Sequence, residues 1–177
     1  MALDDSIDLL DQLSREWPTV EDTMDADFLA FVGGVTIVEQ FIAREFQRLA
    51  LAEFSANPGD LRVLFALRRA GPRATLRPIE LLKRLLITSG AVTKQLDKLE
   101  ERQLIRRVRG PGGKRGGLVE LTEQGRIVAE NAMAAVARLP VMRLAFDALG
   151  EVDRNALLES MHGLIRKIQN LADPPVS

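Results

Sequence analysis

At Leu104 the hydrophobic period of this chain changes. In the preceding stretch, SGAVTKQLDKLEER (Ser89–Arg102), the apolar residues Val92, Leu96 and Leu99 repeat at i, i+4 and i+7, the spacing of one helix face. From Leu104 to Arg109 and again from Leu118 to Leu121 the pattern is extended, which predicts two strands joined by a long loop. The loop and its flanks read RVRGPGGKRGG (Arg107–Gly117), with five glycines, four basic residues and no acidic one. A helix that feeds directly into a short ribbon admits few folds.

The elements upstream narrow the choice. Residues 4–16 predict a short helix with Ile7, Leu9, Leu10 and Leu13 on one side, ended by Pro18 and anchored by Trp17. Met24 to Phe54 predicts a long helix whose apolar face, from Phe28 and Phe31 to Phe46 and Leu49, is too wide for one neighbour. Gly33-Gly34 would weaken it in isolation, so it is expected to pack on a second chain as well as its own. Asn57-Pro58-Gly59-Asp60 predicts a turn, with Asp60 as cap of a helix to Ala70. Pro78 opens another helix, and Thr88 caps the one from Ser89. Beyond the ribbon, Thr122 caps a helix from Glu123 to about Leu149, bent near Pro140, and a last helix runs from Glu151 to about Leu171. The expected class is mainly α with a small β-ribbon. A helix-turn-helix pair followed by two strands is the winged helix-turn-helix layout. The expected division is N-terminal helices over 1–56, the winged helix-turn-helix over 57–122, and C-terminal helices over 123–177.

Charge points the same way. Residues 1–60 hold thirteen acidic and three basic residues, residues 61–119 four acidic and fifteen basic, and residues 120–177 eight acidic and six basic. A block at +11 inside a chain of net charge −1 suits a polyanion. With its apolar face inward, the Ser89–Arg102 helix turns Ser89, Gly90, Thr93, Lys94, Asp97 and Lys98 outward. Small residues near the N-terminal end let a helix enter a DNA major groove, where hydroxyl and amino groups reach bases or phosphates. The ribbon adds Arg106, Arg107, Arg109, Lys114 and Arg115, the last two near a glycine-rich tip suited to a minor groove. A phosphate-binding nucleotide loop does not fit, because Val108 and Arg115 stand where that motif needs a glycine and a hydroxyl.

Other classes find less support. With no cysteine, thiol chemistry and disulfides are excluded. His162 is the single histidine, and its neighbours Leu158, Met161 and Ile165 suggest a core or interface place. No catalytic residue, metal site or cofactor is expected. The acidic N-terminus is no signal peptide, and no uninterrupted apolar run approaches the roughly 20 residues of a membrane span, so a cytoplasmic protein without a membrane partner is expected. Two other readings stay open: a winged-helix module that binds an acidic protein, and an enzyme acting on nucleic acid.

The stretch LRPIELLKRLLITSGAVTKQLDKLEERQLIRRVRGPGGKRGGLVELTEQGR, Leu76–Arg126, resembles the DNA-binding core of the multiple antibiotic resistance regulator (MarR) family. The shared pattern runs through P-x-E-L, S-G-A-V-T, L-D-x-L-E and L-T-x-x-G. The resemblance implies that Ser89, Thr93, Lys94 and Lys98 face the major groove and its phosphates; Gly90, Arg107 and Arg109 join this DNA-facing set. Lys114 and Arg115 stand where the family has paired wing arginines. It further implies a homodimer interlocked through N- and C-terminal helices, double-stranded DNA as partner, and repression from a pseudo-palindromic operator. A small apolar or phenolic effector would sit between dimer region and DNA-binding lobe, with Phe41, Phe46 and Phe65 as pocket candidates and plain core as their alternative. Three departures stand out. Gly110 and Gly113 replace wing acids, Gln103 replaces the glycine after the recognition helix, and Arg77 replaces the hydroxyl cap before Pro78. The missing acids predict a wing that is mobile until it meets DNA.

Overall fold

The computed structural model describes residues 25–71, 75–85, 88–108 and 117–172. Among these lie seven helices and three strands: α1 (Ala26–Phe54), α2 (Pro58–Arg68), β1 (Thr75–Leu76), α3 (Pro78–Leu85), α4 (Ser89–Glu101), β2 (Ile105–Val108), β3 (Leu118–Leu121), α5 (Glu123–Val136), α6 (Pro140–Ala148) and α7 (Glu151–Ala172). The class is the expected one, mainly helical with a small sheet. The helix expected over 4–16, and Trp17 with it, lies outside the described residues. The chain divides into two compact units, residues 1–136 and 137–177.

In the first unit each helix start has a local cause. Asp25 caps α1 by accepting from the Phe28 amide at 2.9 Å. Its far end closes through Ser55 in the left-handed region, with the Ala56 amide donating to the Ala50 carbonyl at 3.0 Å. At α2 the sequence expectation needs correcting. Asn57, not Asp60, is the cap, accepting from the Asp60 amide at 2.9 Å. Asp60 is the third helical residue and reaches back to the Asn57 amide, completing a capping box. Glu80 does half of this at α3, its carboxylate accepting from the Arg77 amide at 2.6 Å. An arginine therefore starts that helix without a hydroxyl cap.

Leu61, Leu64, Leu67, Leu81, Leu96, Leu99 and Ile105 are fully buried and join α2, α3, α4 and the sheet into one core. Burial of each such side chain contributes roughly 1.5–3 kcal/mol relative to exposure. The sheet has order β1-β3-β2 and is antiparallel throughout. The expected two-stranded ribbon gains a third strand, since Thr75 and Leu76 pair with Glu120 and Val119. Two residues are too few to show a period of two in sequence.

Gly125 stands where α5 crosses the strand entry. A Cβ there would lie 1.8 Å from the Leu104 carbonyl oxygen, so the backbones meet only because this residue is glycine. Thr122 caps α5 one turn earlier, its hydroxyl accepting from the Gly125 amide at 3.0 Å and donating to the Gln103 carbonyl at 2.7 Å.

One continuous helix from Glu123 to Leu149 does not form. Proline lacks an amide and clashes with the carbonyl four residues back, so α5 ends at Val136 and Pro140 opens α6. In the second unit α6 is tied by Arg143 donating to Asp147, with Nε–Oδ2 at 2.6 Å. Along α7, Leu157, Leu158, Met161, Ile165 and Ile168 are exposed, and so is His162, which is not core. On α1, Phe28, Phe31, Val32, Val35, Val38 and Ile42 are also exposed. An 18-residue window of α1 reaches a mean hydropathy of 1.5. By length and composition that helix is able to cross a bilayer, which a search for uninterrupted apolar runs passes over.

Candidate nucleic-acid interface

α3 and α4 form the helix-turn-helix, and β2 and β3 carry the wing. Thr88, in extended backbone, caps α4 and accepts from the Ala91 amide at 3.4 Å. Val92, Leu96 and Leu99 turn inward as their spacing predicts. Ser89, Gly90, Thr93 and Lys94 lie exposed together over the first turn and a half. Nothing stands within 4 Å of where a Gly90 Cβ would be. Among the described residues, nothing in the fold requires a glycine at this position. The Thr93 hydroxyl donates to the Ser89 carbonyl at 3.0 Å and keeps its lone pairs outward. Lys94 makes no ion pair among the described residues.

Two other expected cations are engaged within the protein. Lys98 Nζ lies 2.9 Å from Asp60 Oδ2; the lysine side chain is 46% exposed and the aspartate 0%. Arg107 Nη2 meets Asp97 Oδ1 at 2.5 Å, Nη1 meets Glu100, and the Arg107 amide donates to Glu100 Oε1 at 3.2 Å. The hydrogen bond to Asp97, opposed by burial and joined by both acids' charges, raises the guanidinium further above its ordinary value. Arg107 thus braces the base of the wing against α4. Arg106 faces Glu120 across the β2–β3 pair, Nε–Oε1 at 2.5 Å. The acids that steady these arginines come from α4 and β3. Arg109, Lys114 and Arg115, and the expected mobility of the loop they belong to, lie outside the described residues.

Three further cations not assigned to the interface from sequence are exposed nearby: Lys83 and Arg84 in the last turn of α3, and Arg77 just before it. The pocket candidates do not converge on an opening. Phe46 is buried and packs on Phe65 with ring centroids 6.0 Å apart, while Phe41 lies under the Arg44 guanidinium at 4.8 Å. An open depression of about 450 Å³ lies elsewhere, lined by Arg68, Arg69, Gly71, Glu130 and Met133. No group of three or more potential metal ligands occurs among the described residues.

A three-stranded sheet behind two helices, with small and cationic residues exposed on the second, defines a winged helix-turn-helix protein. A MarR family model matches residues 54–116, from the end of α1 into the wing. The chain is 41% identical over 80 residues to the multiple antibiotic resistance protein MarR of Salmonella typhimurium, covering 45% of this chain and 54% of that one. It is 23% identical over 111 residues to the transcriptional regulator PecS of Dickeya dadantii, covering 63% and 66%. It thus spans about half to two thirds of the length of these curated relatives. A crystal structure of a mutant MarR from Escherichia coli complexed with operator DNA superposes with TM-score 0.63 at 25% identity, covering 78% of this chain and 95% of that one. Over residues 54–116, from the end of α1 into the wing, this chain is similar to the MarR family.

Proposed function

We propose that this protein is a DNA-binding transcriptional regulator that acts as a cytoplasmic homodimer and represses from a pseudo-palindromic operator. The observation that carries the reading is the exposed start of α4. Ser89, an unneeded Gly90, Thr93 and an uncommitted Lys94 lie together there, inside a block with fifteen basic and four acidic residues. Two such helices in a two-fold dimer would enter successive major grooves roughly 34 Å apart. The exposed apolar residues of α1 and α7 support the dimer, since a second copy would remove them from water. A small apolar or phenolic effector that releases the DNA completes the proposal and rests on the family resemblance.

The test is selection of bound fragments from the source genome, followed by binding to one recovered duplex across a salt series. Recovery of a two-fold symmetric sequence, bound with an affinity that falls steeply as salt rises, is the expected result. An affinity that barely changes between low and moderate salt, with no sequence enriched, refutes the reading. An acidic protein captured in place of DNA would instead favour the interaction module.

A further inference from the structure

The recognition helix α4 meets the rest of the molecule through more than its apolar stripe. Gln95, Lys98 and Arg102 follow one another at spacings of three and four and share a flank of the helix. All three meet the same short segment, the junction of α1 and α2. Lys98 Nζ lies 2.9 Å from Oδ2 of the fully buried Asp60. Arg102 donates from Nη2 to the carbonyl of Phe54, the last residue of α1, at 3.1 Å. Gln95 fills the space over Gly59, where a Cβ would fall 2.1 Å from its Nε2. Of the four buried side-chain polar atoms without a hydrogen-bond partner among the described residues, three are here: Asp60 Oδ1, Gln95 Oε1 and Arg102 Nη1.

A lysine that answers a fully buried carboxylate is not free to follow a phosphate. Its departure would leave the Asp60 charge buried without a counterion, a costly state. The resemblance assigns Lys98 to the groove; the geometry assigns it backwards, into the protein. We propose that Asp60, Lys98 and Arg102 are positioning residues. They hang the recognition helix from the end of α1 and set the angle at which Ser89, Thr93 and Lys94 meet DNA, without touching phosphate themselves. This rests on the DNA-binding reading above and sharpens it.

Contact and positioning separate in their dependence on salt and on sequence. A lost phosphate contact weakens every duplex alike and lowers the salt slope by about one. A tilted helix loses only the sequence that needs the angle. The probes are a 40-base-pair duplex selected from a random library with the wild-type protein, and a scrambled duplex of equal composition. Lys98→Met and Asp60→Asn are each expected to lose at least about tenfold on the selected duplex and to stay within about threefold on the scrambled one. The Lys98→Met slope should equal that of wild type, the double variant should be no worse than either single, and Lys98→Arg should restore binding. A Lys98→Met loss equal on both duplexes with the slope lowered by about one overturns the proposal. So does an Asp60→Asn protein that binds like wild type. Thermal melts accompany each variant; where Asp60→Asn does not fold, the Lys98→Met slope and the arginine rescue decide. A wild-type protein that selects no sequence and binds neither duplex refutes the DNA-binding reading itself. That result is distinct from a wild type that binds while Lys98→Met behaves as a contact.

Discussion

Gln103 ends the recognition helix with φ at 58°, the left-handed region where the sequence pattern leads one to expect glycine. Its amide donates to the Glu100 carbonyl at 2.9 Å, and the next amide, Leu104, donates to Leu99 at 3.0 Å. The turn is made in spite of the side chain, not because of it. A left-handed L-residue costs roughly 1–2 kcal/mol, against about 0.5–1 kcal/mol of backbone freedom that a glycine would lose on folding. The first effect wins, so Gln103→Gly should raise stability by about 1 kcal/mol, read as a shift in the urea midpoint at unchanged slope; a lower midpoint would show the glutamine side chain to be held by contacts of its own. Gly125 behaves in the opposite sense. Its Cβ would sit 1.8 Å from the Leu104 carbonyl, and backbone cannot yield as a side-chain tip can. Gly125→Ala should cost about 3 kcal/mol, and a melt within a degree of wild type would contradict the close approach. The resemblance leaves Gln103 either left-handed at some cost or ending the helix differently, and the structure takes the first course. The reason for glycine at 125 is not legible from sequence, because the atom it avoids belongs to another element.

Helix α4 separates what the fold needs from what the partner needs. Its buried stripe follows from spacing, and its cap follows from a threonine before a small-residue turn. Gly90 has open space around it, so Gly90→Leu should leave the thermal melt no lower, since leucine is the better helix former. The same change should abolish binding to the selected duplex by filling the groove-facing surface. Retained affinity would remove Gly90 from the interface. Lys94→Ala should lower the salt slope by about one across all duplexes, the signature that Lys98→Met is expected to lack. Not every element was legible. β1 has two residues, and α5 and α6 are separated by a proline that sequence reads as a bend. The missing wing acids are conspicuous in sequence; the acids on α4 and β3 that meet Arg106 and Arg107 become visible only once β2 is laid beside them.

For the whole molecule the exposed apolar residues are the largest unanswered energy. Phe28, Phe31, Val35 and Val38 of α1, and Leu158, Met161, Ile165 and Ile168 of α7, all face water in the single chain. At roughly 25 cal/mol per Å² of apolar surface, covering them favours association strongly. Wild type is therefore expected to sediment as the proposed dimer and Val35→Asp as a monomer, with its helical circular dichroism largely kept; a monomeric wild type would refute the dimer. The bilayer alternative that α1 permits predicts instead that the wild-type protein floats with phosphatidylcholine vesicles. Sedimentation as a free dimer in their presence would exclude it.

The helix-to-strand change at Leu104 and the buried stripe of α4 follow from sequence, because hydrophobic period and caps act within a few residues of one another. Where the charges go does not. Arg102 meets a carbonyl 48 positions away, Arg107 meets an acid ten positions back, and Lys98 turns from the groove to a buried aspartate on another helix. A sequence shows that a lysine lies on a polar face. Whether that lysine answers DNA or its own protein depends on which carboxylate the folded chain buries beside it, and that is settled only when the elements pack.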